Sequence, residues 1–189
     1  GMWPVAPLLL GGLFASAWLL ALRPLAGLGD EIHPAHAQGH LPPRLGSRSV
    51  TAFVYGIAEA TVSMWAIVYL HEQKGLSAAV AAGALSAFWL TMTAGRLLAV
   101  VVVRWMSPLS LALILSVGMS AAFLLISNVH GAGGAFLTYG IAGLACSAVF
   151  PLLLALGSAD YPERTPQVSA VFSAAVVAGV AVGSFVVGP

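Results

Sequence analysis

Val50-Thr-Ala-Phe-Val-Tyr-Gly-Ile-Ala-Glu59-Ala-Thr-Val-Ser-Met-Trp-Ala-Ile-Val-Tyr-Leu70 is long enough to cross a bilayer as one helix, and it carries a single charge near its middle. Lipid gives the backbone no water to bond with, so a run of this length crosses as a helix, whose backbone groups satisfy one another. A carboxylate at that depth costs roughly 2.5–3.5 kcal/mol on insertion scales. Such a cost points to a group that faces a water-filled cavity, a partner or a substrate path. The stretch therefore predicts a membrane helix and singles out Glu59.

The rest of the chain agrees. Its 189 residues are 60% hydrophobic and 7% charged, against about 25% charged in a soluble domain. The expectation is an all-α membrane protein, multi-pass, in the cell (inner) membrane, with the lipid bilayer as its solvent. A net charge of +1 leaves no basic footprint for nucleic acid. Cys146 is the only cysteine, so it forms neither an internal disulfide nor a metal cluster and reads as a small buried hydrophobe.

Apolar runs of about 20 residues predict six spans: Trp3–Leu22, Val50–Leu70, Ala78–Val100, Leu109–Ser127, Phe136–Leu156 and Val168–Val187. Ser77 is placed to cap the third. Ser107-Pro108 and Thr165-Pro166 each set a capping residue before a proline at the first helical position, where the missing N–H costs nothing. Arg23, Arg44 and Arg48 fall in or beside the first gap between spans, Arg96 and Arg104 around the third, and Arg164 in the fifth. Only Lys74 falls in the second, so the odd-numbered gaps are read as cytoplasmic.

Pro24–Ser49 is the one sizeable polar stretch, with His33, His36, His40, Asp30 and Glu31 among four prolines. Spaced histidines and carboxylates can bind a metal, but nothing here fixes their geometry, so residues 24–49 read as a flexible cytoplasmic linker. No metal and no cofactor is expected. The chain opens Gly1-Met-Trp into one apolar run and stops at Gly188-Pro189 after another, the pattern of a fragment. The first run has no basic n-region and is too long for a signal peptide.

Polar residues fall in stripes. Tyr55, Glu59 and Ser63 follow i, i+4 spacing; Ser86, Trp89, Thr93 and Arg96 follow 3, 4, 3; Ser169 and Ser173 lie one turn apart. Three such helices imply a shared aqueous interior, although serine and threonine alone also serve as glue between membrane helices. Tyr55-Gly-Ile-Ala58 recurs as Tyr139-Gly-Ile-Ala142 in a span of opposite direction, as inverted three-helix repeats would produce.

At these residues the chain resembles the C-terminal half of a major facilitator superfamily transporter, most of all the branch of fucose permease and the bacterial glucose/galactose transporters. The likeness runs from Tyr55-Gly-Ile-Ala-Glu59, Ser63-Met-Trp65 and Tyr69-Leu70 through Ser86-Ala-Phe-Trp89, Gly95-Arg96-Leu97 and Phe150-Pro151 to Gly179, Gly183 and Gly188. It implies half of a twelve-helix bundle. Residues 1–23 would be its sixth helix, 24–49 the linker between halves, and 50–189 the seventh to eleventh helices. The loop after the third span lacks the acidic residue and second basic cluster of many members, so no gating salt bridge is implied there.

The resemblance implies proton-coupled uptake of a sugar or similar small polar solute, with H+ as co-substrate, or efflux of another small molecule by the same fold. Glu59, Tyr55, Ser63, Trp65, Trp89 and Thr93 would line the substrate and proton pathway, the indoles packing against a pyranose. Arg96 would close the cytoplasmic gate. An intramembrane enzyme is not expected, because His-Glu-x-x-His, Gly-x-Ser-x-Gly and a second membrane carboxylate are all missing from the sequence. A non-transporting receptor or assembly subunit is the remaining alternative.

Overall fold

The computed structural model describes residues 43–186. The first predicted span, Trp3–Leu22, and the histidines and carboxylates of the linker lie outside the described residues. Within them every element is helical and no strand occurs. Helix α1 (Pro43–Met64) breaks at Trp65 and continues as α2 (Ala66–Val68) and a π-helical turn (Tyr69–Gln73). Then come α3 (Ala78–Val102), α4 (Pro108–Ser127), α5 (Gly131–Cys146), α6 (Val149–Asp160), a 3-10 turn (Pro162–Arg164) and α7 (Thr165–Phe185).

Four helical stretches are long and apolar enough to cross a membrane: α3, α4, the α5–α6 stack Gly131–Asp160 and Pro162–Phe185. The pair Leu45–Met64 and Ala66–Gln73, bent by 48°, makes a fifth if it is counted as one span. These five fall where the second to sixth spans were expected.

Three details differ from expectation. Helix α1 begins at Pro43, inside the stretch read as linker. Its first turns stay ordered because Leu45 and Arg48 are buried. Arg48 donates to the Leu156 carbonyl at 3.0 Å and pairs with Asp160 of α6. Ser77 and Ser107 cap α3 and α4 as expected, accepting from the amides of Val80 and Ser110. Thr165 does not cap α7; it is already helical, and its hydroxyl donates back to the Pro162 carbonyl at 3.1 Å. Third, the run Val50–Leu70 is bent without proline. Thr61 and Ser63 each donate to the carbonyl four residues earlier, at 2.7 and 2.8 Å, just before the break at Trp65, and a π-turn follows.

Missing side chains set the packing. A Cβ on Gly179 would run into the Phe53 carbonyl, and one on Gly183 into that of Ile57, so α1 and α7 lie backbone to backbone. Gly143 meets the Phe88 carbonyl in the same way, drawing α3 onto α5. In both pairs the contacting residue numbers rise together, Phe53 with Gly179 and Ile57 with Gly183, Gly83 with Phe136 and Gly95 with Ser147. Both tight pairs are therefore parallel. The α5–α6 stack is the centre: 56% of its apolar 18-residue stretch is buried, against 17% of the corresponding stretch of α3 and 22% of that of the last span.

The two ends are tied differently. Arg48 joins the start of α1 to the end of α6. At the opposite end Lys74 donates to the Ser127 carbonyl at 2.6 Å and Tyr69 to that of Ile126 at 3.3 Å. Lys74 fills a carbonyl of the α4 C-terminus and complements the dipole there, while the Ile126 carbonyl, which also accepts from the Val129 amide at 3.3 Å, takes the tyrosine as a second donor.

Candidate functional site

The site grows from one missing hydrogen. Pro151 has no N–H, so the carbonyl of Ser147, four residues earlier, loses its intrahelical donor and the α5–α6 stack breaks around Ser147 and Ala148. A bare carbonyl in an apolar interior costs several kcal/mol on transfer scales. Two other helices fill the gap. Arg96 of α3 donates its Nε to the Ser147 carbonyl at 3.1 Å, and the Tyr55 hydroxyl of α1 donates to the Cys146 carbonyl at 3.0 Å.

Gly95 lets α3 come this close, since a Cβ there would lie 2.5 Å from the Ser147 Oγ. Arg96 is itself exposed at its far edge, and one Nη reaches the Met92 sulfur at 3.9 Å. Glu59, one turn beyond Tyr55, is half-buried. It is a hydrogen-bonding neighbour of the Tyr55 hydroxyl and lies in the field of the Arg96 guanidinium. Thus Tyr55 and Arg96, from two helices, meet at a break in a third, with Glu59 one turn along α1 from Tyr55. Tyr55 and Cys146 are buried there, so the tyrosine–carbonyl bond is shielded from competing water.

The other residues singled out by sequence are placed elsewhere. Ser63 is buried, and its hydroxyl is spent on the Glu59 carbonyl. Trp65 occupies the α1 break, donating its indole N–H to the Gly183 carbonyl of α7 at 3.2 Å. Trp89 is 43% exposed and packs edge-on against Phe88, with ring centroids 5.1 Å apart. Thr93 is exposed and donates to the Trp89 carbonyl at 2.9 Å. Ser86, Trp89, Thr93 and Arg96 share one outward face of α3, beside Leu90 and Leu97.

Ser147 and Gly95 were not picked out as site residues. The signal for Ser147 was present: a proline inside an apolar run names the carbonyl four positions back as unpaired. Among the described residues no group of three or more histidine, cysteine or carboxylate side chains is placed to hold a metal. Comparison with family models, with curated proteins and with solved structures finds no match to this chain.

Proposed function

We propose that this chain is part of a secondary transporter of the major facilitator type, and that it moves a sugar or similar small polar solute together with a proton. The observation that carries the reading is the convergence of Tyr55 and Arg96 on the broken α5–α6 stack, with Glu59 one turn along α1 from Tyr55. Carriers bind solute and coupling ion near the midplane, beside discontinuous helices.

The chemistry of the cluster suits a proton. Tyr55 has one hydroxyl hydrogen, and the Cys146 carbonyl takes it. The tyrosine oxygen then accepts from Glu59 only when Glu59 is itself protonated. An ionised Glu59 competes with the carbonyl for that hydrogen and is drawn towards Arg96. Loading and unloading one proton therefore rearranges bonds among three spans.

Repetition supports the same architecture. Tyr55 and Tyr139, Ser63 and Ser147, Phe88 and Phe172, and Gly95 and Gly179 all stand 84 residues apart. Both tyrosines and both phenylalanines are buried, and the two helix breaks fall near the same place in this register. The parallel pairs α1 with α7 and α3 with α5 are those that an inverted repeat exchanges.

The test is accumulation of labelled neutral monosaccharides by proteoliposomes of the intact protein under an inward proton gradient. Uptake that a protonophore abolishes is expected. A panel of sugars that never exceeds protein-free liposomes would reject the solute class, and uptake indifferent to the gradient would reject the proton.

A further inference from the structure

The break is a negatively polarised place. It is the C-terminal end of α5, where the last carbonyls carry the negative end of the helix dipole, and α5 has no basic residue in its last turn. Pro151 removes the intrahelical donor of the Ser147 carbonyl, the Cys146 carbonyl next to it accepts from the Tyr55 hydroxyl, and half-buried Glu59 lies one turn from Tyr55 on α1. Neutral and anionic oxygens gathered around one gap are what a hard cation takes as ligands, and unwound membrane helices are where coupling ions are held. Neither α4 nor α7 carries an ionisable side chain.

The positive charge comes instead from α3. Arg96 reaches the Ser147 carbonyl through its Nε. Its guanidinium brings a positive charge to the carbonyl end of α5. Gly95 fixes its reach, since any side chain there would push α3 off Ser147.

We propose that Arg96 is a tethered cation, its guanidinium filling the seat that an alkali ion would otherwise take among the Ser147 and Cys146 carbonyls, the Tyr55 hydroxyl and the Glu59 carboxylate. Two consequences follow. The protein as it stands has no use for sodium at this break. Cutting the side chain back uncovers a sodium site whose anionic ligand is Glu59.

The inference concerns ion binding and holds whether or not a sugar is carried, so it is tested without solute. Binding of radioactive sodium to purified protein in detergent micelles is measured at constant ionic strength, with N-methyl-D-glucamine as the replacing cation. The parent protein and Arg96→Lys, which keeps a tethered charge, should show no saturable sodium. Arg96→Ala and Arg96→Gln should gain a saturable site at least tenfold tighter than any in the parent. Adding Glu59→Gln should weaken it again by at least tenfold. Gel filtration identifies variants that retain the parental fold. Saturable sodium in the parent overturns the proposal whatever the variants do. Folded Arg96→Ala and Arg96→Gln that bind none overturn it equally.

Discussion

Among the described residues two helical stretches are broken, at Ser147 and at Trp65, and the two breaks differ in what surrounds them. At Ser147 a proline removes a donor, and the freed carbonyls are taken up by Tyr55 and Arg96 from two other helices. At Trp65 there is no proline. Two hydroxyls upstream bond back to their own helix, and the indole N–H ties the bend to Gly183 of one neighbour. The first break gathers ionisable side chains around bare carbonyls; the second is closed by a tryptophan. At the first break the loose backbone groups are met by a hydroxyl and a guanidinium, whereas the second sends an indole N–H to a carbonyl of its neighbour.

That contrast can be broken most severely at Glu59. On the proposed proton-coupled transport, Glu59→Gln keeps the shape and removes the titration, so pH-gradient-driven accumulation should be abolished while counterflow exchange survives, since exchange moves no net proton. A mutant that accumulates solute like the parent would put the Ser147 break on the same footing as the other.

Pro151→Ala comes next. It returns an N–H to the Ser147 carbonyl and mends α5 into α6, a change worth up to about 3 kcal/mol of helix propensity. Chemical denaturation in micelles should show a protein at least as stable as the parent, with proton-driven accumulation at least tenfold lower. Loss of stability in step with activity would mean that the break is architectural only.

Tyr55→Phe leaves the Cys146 carbonyl without its buried donor, at a cost of about 1–3 kcal/mol. The same denaturation curve measures the loss, and accumulation should fall with it, because Glu59 loses its neighbour. The smallest effect belongs to the other break. Trp65→Phe keeps a ring in place and loses one hydrogen bond, about 0.5–1.5 kcal/mol. Accumulation at saturating solute should stay within twofold of the parent; a larger fall would mean that the Trp65 bend also serves the pathway.

Much of this was legible in the residues. Hydropathy placed the helices, because burial in lipid demands unbroken apolar length, and serine before the helix start gave two caps correctly. Glu59 drew attention through the cost of its charge. The seat of Arg96 was harder to read, because its partner is a backbone carbonyl and side-chain patterns do not show which carbonyls are bare. The bend at Trp65 was invisible, since no proline or glycine marks it in the sequence. Thr165 misled because a hydroxyl before a proline caps a helix only if it lies outside the first turn, and a 3-10 turn had already drawn this one in.

The glycine contacts that press α1 onto α7 also set a timetable for synthesis. Trp65 is made 118 residues before the Gly183 that receives its indole proton. At ribosomal rates of about 5–20 residues per second, roughly 6–24 s separate the two. For that interval the helix bearing Glu59 has left the ribosome without the neighbour against which its backbone fits. A newborn carboxylate must therefore wait at the insertion machinery, or be held by α3 to α6 alone, until the last helix arrives.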